Sequence, residues 1–194
     1  DGGVHWTPSA IGFEGCGCTG FAYDPNNINK VIGIGVNSWG CPQNGIYMSN
    51  DKGLTWETIM QTRICGFRDL RNQVAFDETS YDETLKGCMT IYWSREKVND
   101  DDARSLIYRS DSGGTKWEIL YDSGKYANGY IFVNAKTGAV ATGNSNGVHI
   151  SDDKGETFKT VMEHEVLALD YVNTRPNNLY ATILNKTTNR YQLA

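Results

Sequence analysis

The sequence predicts an all-β fold built on a repeat, and three observations carry that prediction. Apolar residues fall in short runs, such as 31–36 (VIGIGV) and 130–133 (YIFV), bounded by the Gly, Asn, Asp and Ser clusters that mark tight turns. No window of about 11 residues keeps the 3.6-residue period of an amphipathic helix. An octapeptide of pattern S-x-D-x-G-x-T-W also recurs: Ser49-Asn50-Asp51-Lys52-Gly53-Leu54-Thr55-Trp56 returns as Ser151-Asp152-Asp153-Lys154-Gly155-Glu156-Thr157-Phe158.

A third copy, Ser110-Asp111-Ser112-Gly113-Gly114-Thr115-Lys116-Trp117, has Ser112 in the central Asp slot and Lys116 in the Thr slot. A fourth opens the chain already cut, Asp1-Gly2-Gly3-Val4-His5-Trp6. Each position has a physical task. The Asp accepts hydrogen bonds from backbone N–H groups ahead of it, the Gly supplies a positive φ, and the Trp or Phe packs inward as the next strand begins. The motif is read as a hairpin corner.

Strands are expected on both sides of each corner. In the first repeat they fall at 20–23, 31–36, 46–48 and 57–60. The second repeat places them at 73–76, 88–92, 106–109 and 118–121, and the third at 130–133, 139–142, 148–150 and the segment after Phe158. A last, partial repeat has strands at 167–170 and 179–182 and ends near Arg190-Tyr191-Gln192. Four strands per repeat result.

With its corners and strands in this order, the chain resembles the Asp-box (BNR) repeat β-propellers over essentially its whole length. It is closest in style to the xyloglucanase-type glycoside hydrolases, and sialidase and sortilin-type propellers are more distant. The resemblance implies a propeller of four-stranded antiparallel blades, with about four blades present. It also implies that Asp1, Gly3, Trp6, Ser49, Asp51, Gly53, Thr55, Trp56, Ser110, Gly114, Trp117, Ser151, Asp153, Gly155, Thr157 and Phe158 are structural corner residues. The central slots lie 50, 61 and 41 residues apart, which suits blades with loops of unequal length. One propeller segment over 1–194 is expected, with blades near 7–60, 61–122, 123–162 and 163–194. Residues 1–6 either close the last blade beside Tyr191 in a four-bladed ring or belong to a larger propeller. A terminus inside a turn motif favours the second.

In a meandering blade the corners lie at one edge and the long connections at the other, so function is expected among the long connections. Those connections hold Trp39 and, on the assumption that it opens a loop, Trp93. Both are candidates for stacking on a sugar ring, with gap-filling between blades as the alternative; Trp6, Trp56 and Trp117 are read as core. Arg68 and Arg71, near Arg63, are candidate substrate-binding groups because guanidinium forks match carboxylates, although ordinary loop salt bridges, with Asp69 as a partner, are the favoured account of the cluster. Cleavage of a glycosidic bond needs two carboxyl groups, and Asp69 and Glu96 are the candidate catalytic pair. The Arg-Ile-Pro signature of sialidases is absent.

Composition narrows the partners. Acidic residues number 23 against 18 basic, a formal charge of −5 without a basic block, which argues against nucleic acid. No apolar run approaches the roughly 18 residues of a membrane-spanning helix. The expected partners are a polysaccharide or glycan and the remaining blades of the same protein or another chain. His5, His149 and His164 are scattered and Asp100-Asp101-Asp102 lacks calcium-loop spacing, so neither metal nor cofactor is expected. The five cysteines lack CxxC spacing; Cys41 is paired here with Cys16, Cys18 or Cys65, and Cys88 is read as a buried thiol. Such a staple implies an extracellular or secreted setting.

Overall fold

The computed structural model of the chain describes residues 3–6, 8, 11–13, 17–36, 45–61, 72–95, 106–121, 130–172, 175–185 and 187–194. These form antiparallel sheets that follow the repeat. The first sheet holds β1 (Gly17–Asp24), β2 (Asn27–Val36), β3 (Gly45–Ser49) and β4 (Glu57–Gln61), in that spatial order. The second contains β5 (Asn72–Phe76), β8 (Ile91–Arg95), β9 (Leu106–Ser110) and β10 (Glu118–Tyr121). A small hairpin, β6 (Tyr81–Asp82) and β7 (Gly87–Cys88), is inserted between β5 and β8. The third sheet holds β11 (Tyr130–Val133), β12 (Val140–Asn144), β13 (Gly147–Ser151) and β14 (Lys159–Met162). Among the described residues the fourth holds three strands, β15 (Val166–Val172), β16 (Arg175–Asn185) and β17 (Arg190–Leu193).

The insertion corrects one expected strand. Cys88 does not begin the second strand of its repeat; it closes the inserted hairpin, and the main strand starts at Ile91. Asp77 causes the detour. Its carboxylate accepts from the Thr79 amide at 3.0 Å and the Thr79 hydroxyl at 2.6 Å, turning the chain into a short 3-10 segment, Glu78–Ser80.

The alternation of β2 shows how the sheets pack. Ile32 and Ile34 join Ile46 and Met48 on one face, against Val74, Phe76, Ile91 and Trp93 of the second sheet. Each fully buried Ile contributes roughly 1.5–3 kcal/mol relative to an exposed one. The same relation repeats between the second and third sheets, through Tyr92, Ile107, Ile131 and Val140, and between the third and fourth, through Val148, Val166, Leu169 and Ile183. The sheets therefore stack face to face in sequence order.

A bulge recurs in the outermost pair of each complete sheet. Ile59, Leu120 and Val161 are the extra residues, skipped by the register between β3 and β4, β9 and β10, and β13 and β14. Such a bulge bends the outer strand. Ile59 and Leu120 pack against the cores shared with the next sheet.

Candidate functional site

The corners form as networks of the kind the motif chemistry requires. In the first, Gly53 N–H donates to Ser49 Oγ at 2.8 Å, and Ser49 Oγ donates to Asp51 Oδ1 at 2.8 Å. The Thr55 amide and hydroxyl donate to the two Asp51 oxygens at 2.8 and 2.6 Å. The Trp56 indole N–H closes on Gly53 O at 3.0 Å. The corner of Ser151, Asp153, Gly155 and Thr157 repeats the side-chain distances to within 0.1 Å. In the third corner the Ser112 hydroxyl replaces the carboxylate, accepting from Lys116 N at 2.9 Å.

Two successive residues take positive φ in these corners: Lys52 at 64° and Gly53 at 84°, Lys154 at 58° and Gly155 at 84°, Gly113 at 64° and Gly114 at 92°. The final position needs glycine to avoid the left-handed penalty, and the one before it tolerates lysine. Three donors on one carboxylate leave an electrostatic mark. Hydrogen bonds from Thr55, then Ser49, hold Asp51 down at about 2 from its ordinary 3.8, and Thr157 with Ser151 does the same for Asp153. A depressed native pKa stabilises the fold above the unfolded pKa, and that contribution is lost as pH falls through the native value. The melting temperature is therefore expected to drop between about pH 4 and pH 2. Asp51→Asn combined with Asp153→Asn should melt lower at neutral pH and show a flatter slope in that window by circular dichroism.

The corners also distinguish the two edges of the sheets. Corner residues Ser49, Ser110 and Ser151 end β3, β9 and β13 at one side of the sheets. Connections 37–44, 62–71 and 96–105 leave from the strand ends at the other side, at Val36, Gln61 and Arg95. Trp39, Arg68, Asp69, Arg71 and Glu96 belong to those connections and lie outside the described residues, as do Asp1, Arg63, Cys16, Cys41 and Cys65.

Three expectations are corrected. Trp93 is no loop residue: it sits inside β8, fully buried, stacked on Tyr108 with ring centroids 4.5 Å apart and planes 14° from parallel. No sugar reaches it, because the β8 register turns it into the core between the first two sheets. Trp6 is no core residue. Its corner is made, with Gly3 at φ 84° and the indole N–H 2.8 Å from Gly3 O, yet the ring is 88 % exposed. Cys18 is a free thiol, so a Cys18–Cys41 staple is not formed. Cys88 is a buried thiol, as the sequence indicates; burial first, then the Asp24 carboxylate, pushes it up to about 12, which removes it as a nucleophile.

Other polar groups are structural. His149 is buried between Thr160 Oγ1 at 3.0 Å and Asn144 Oδ1 at 3.2 Å. Arg109 gathers Glu156 at 2.6 Å with Asp111 and Glu118 at 2.9 Å, tying the corner of the second sheet to that of the third. A second set of turns is not announced by the repeat motif: Asp24, Asp77 and Asn134 stand at the end of the first strand in the first three sheets, and each accepts the amide two residues on at 2.9–3.0 Å. Its signal is the pattern of an apolar or aromatic residue followed by Asp or Asn, in Tyr23-Asp24, Phe76-Asp77 and Val133-Asn134. Buried Asp24 also accepts from the Cys88 amide at 2.8 Å, and Lys30 reaches Gly113 O at 3.2 Å, fastening the first sheet to the second.

The first strands of all four sheets converge on one cleft of about 470 Å³, lined by Tyr23, Gln73, Glu78, Phe132, Asp170 and Tyr171 among others. Among the described residues no three His, Cys, Asp or Glu side chains gather as a metal site, and no helix is long and apolar enough to cross a membrane.

No family model and no curated protein matches the chain. Solved structures do. A GH74 enzyme from Niastella koreensis superposes with a TM-score of 0.65 at 16% identity, over 85% of this chain and 25% of that one. The GH74 xyloglucanase from Xanthomonas campestris gives 0.63 at 14% identity, over 98% and 30%. A chain of a nidogen–laminin complex gives 0.62 at 16% identity, over 91% and 60%. The fold is a β-propeller. The chain spans less than two thirds of each of these neighbours, and at such identities the likeness fixes the architecture alone. Within that architecture the stacked sheets are blades, and the shared cleft lies where their innermost strands meet.

Proposed function

We propose that this chain is an Asp-box propeller segment of an extracellular or secreted protein, and that its loop edge handles carbohydrate by binding or cleaving a polysaccharide. The observation that carries this reading is the strand order. Every connection bearing Trp39, Arg68, Arg71, Asp69 or Glu96 leaves the sheets opposite the rigid corners, where variable loops can shape a groove. Two of the neighbours above are GH74 enzymes, one of them a xyloglucanase, which makes xyloglucan the first glycan to try.

In this reading Trp39 offers a flat apolar ring to a sugar, Arg68 and Arg71 orient polar substituents, and Asp69 and Glu96 flank the bond to be cleaved. Native electrophoresis through a gel containing xyloglucan tests it. The wild-type chain should be retarded, and Trp39→Ala should weaken apparent affinity about two- to ten-fold, the worth of one stacked ring. A wild-type chain that runs unretarded would sink the carbohydrate reading.

A second reading, a non-catalytic module that binds protein, draws support from the nidogen-type neighbour, solved with laminin. Release of reducing sugar from xyloglucan, abolished by Asp69→Asn or Glu96→Gln, would decide for the enzyme. Retardation without release would leave a binding module.

A further inference from the structure

One short motif takes no part in the corners or in the loop-edge groove. Asn185-Lys186-Thr187 is the single Asn-x-Ser/Thr triplet of the sequence, and its middle residue is not proline. That spacing is what transfer of a glycan to an asparagine amide requires, the hydroxyl two residues on being recognised together with the amide.

The fold puts the triplet at an accessible turn. Asn185 ends β16 and Arg190 opens β17, so the triplet begins the connection between them. The base of that hairpin is held in register, with Leu184 opposite Tyr191 and Asn185 opposite Arg190. Thr187, Thr188 and Asn189 are exposed, and Asn189 takes a φ of 50° where the chain reverses. The third sheet shows that this exposure belongs to the turn itself. Its β12–β13 turn is the equivalent connection, and Ser145 and Asn146 are exposed there although that sheet is packed on both sides, by the second and the fourth. As the second strand of its sheet, β16 ends at the edge where β2 ends at Val36, the loop edge.

The Asn185 side chain can carry a sugar and still hold its turn. Its Oδ1 accepts the Thr187 amide at 3.0 Å and the Thr188 amide at 3.1 Å, an Asx turn that brings the triplet's two ends together. Its Nδ2 donates to Gln192 Oε1 at 3.2 Å in an exposed bond. An amide nitrogen has two hydrogens, and replacing one by a sugar leaves the carbonyl oxygen and one N–H in place. Both Oδ1 bonds and one donor therefore survive the modification.

We infer that Asn185 is the acceptor of an N-linked oligosaccharide, installed as the chain passes through a secretory compartment. The inference rests on the extracellular or secreted setting proposed above. The donor is an oligosaccharide carried on a polyprenyl diphosphate. Asn185 Nδ2 bonds to the anomeric carbon of its reducing-end sugar, the bond from that carbon to the diphosphate oxygen breaks, and the electron pair leaves with the polyprenyl diphosphate. One amide proton passes to solvent, and nothing is oxidised or reduced. The product places a bulky, hydrated chain on the loop edge of the fourth sheet.

The 194-residue chain, secreted from cultured mammalian cells behind a cleavable signal peptide, is the test material. Wild type should migrate slowly on denaturing electrophoresis and fall to the 21.6 kDa of the bare chain after peptide-N-glycosidase treatment, with residue 185 recovered as Asp by peptide mass spectrometry. Thr187→Val keeps the shape of an exposed side chain and both turn amides but removes the hydroxyl, so it should be secreted at the bare mass. Thr187→Ser should keep the glycan. A secreted wild type at the bare mass overturns the inference, as does a glycan that persists in Thr187→Val. Fractionation of the source cells reads the secreted setting separately. Native protein confined to the cytosol removes that setting and the inference with it, whereas native protein outside the cell with a bare Asn185 removes the inference alone.

Discussion

Gly147→Ala is expected to destabilise the chain by about 3–5 kcal/mol, seen as a fall in the denaturant midpoint. Gly147 opens β13 at a φ of 145°, where an L side chain is strained, and its N–H is held by Asn144 Oδ1 at 3.1 Å. A Cβ there would lie 2.0 Å from the carbonyl oxygen of Met162. That atom is backbone beside the β13–β14 bulge, so it moves only if the outer strand lets go. Gly45 occupies the same place in the first sheet, at φ 147° and 1.8 Å from Met60 O, which makes the close approach a property of the repeat. Ser145→Ala, two residues away at an exposed position, should change stability by less than about 0.5 kcal/mol. Equal midpoints for Gly147→Ala and wild type would mean that the strands do not meet there as described.

Trp93→Ala should cost about 3–5 kcal/mol, the range for deleting a fully buried aromatic ring. The ring lies in the core between the first and second sheets, among Ile34, Ile46 and Leu106, and stacks on Tyr108. Little of the void can be filled, because its walls are strands fixed in register on both sides. The result separates two roles for one residue. A core Trp93 lowers the midpoint and leaves the glycan affinity of the remaining folded protein unchanged, whereas a sugar platform would do the reverse. Unfolding monitored by far-ultraviolet circular dichroism, beside xyloglucan gel retardation at low temperature, reads both.

Trp93 and Trp6 both sit where their local sequence does not put them. The polar residues that follow Trp93, Ser94 to Arg95 and beyond, suggest a loop, yet Ser94 and Arg95 are themselves buried within β8. Polar character marks a strand end only when the strand is exposed, and this one is covered on both sides by neighbouring blades. The motif points Trp6 to the core. The motif does make the corner, but burial needs a partner sheet, which a local pattern cannot supply. The inserted hairpin at β6 and β7 escaped notice for a related reason: Asp77 and Asp82 each direct a turn through bonds only two or three residues long, without an apolar run to announce strands.

What the sequence determined by itself is local. The Ser, Asp, Gly and Thr of each corner satisfy one another within six residues, and the alternation of residues such as Ile32 and Ile34 with Gly33 sets two faces for a strand; both follow from short-range bonding and from a period of two. Tertiary structure alone decided which face meets which. The burial of Trp93, and the bonds from the Cys88 amide to Asp24 and from Lys30 to Gly113 O, depend on residues brought together from different blades. Those contacts arise from packing between sheets, and no spacing along one strand encodes the neighbour that will lie across from it.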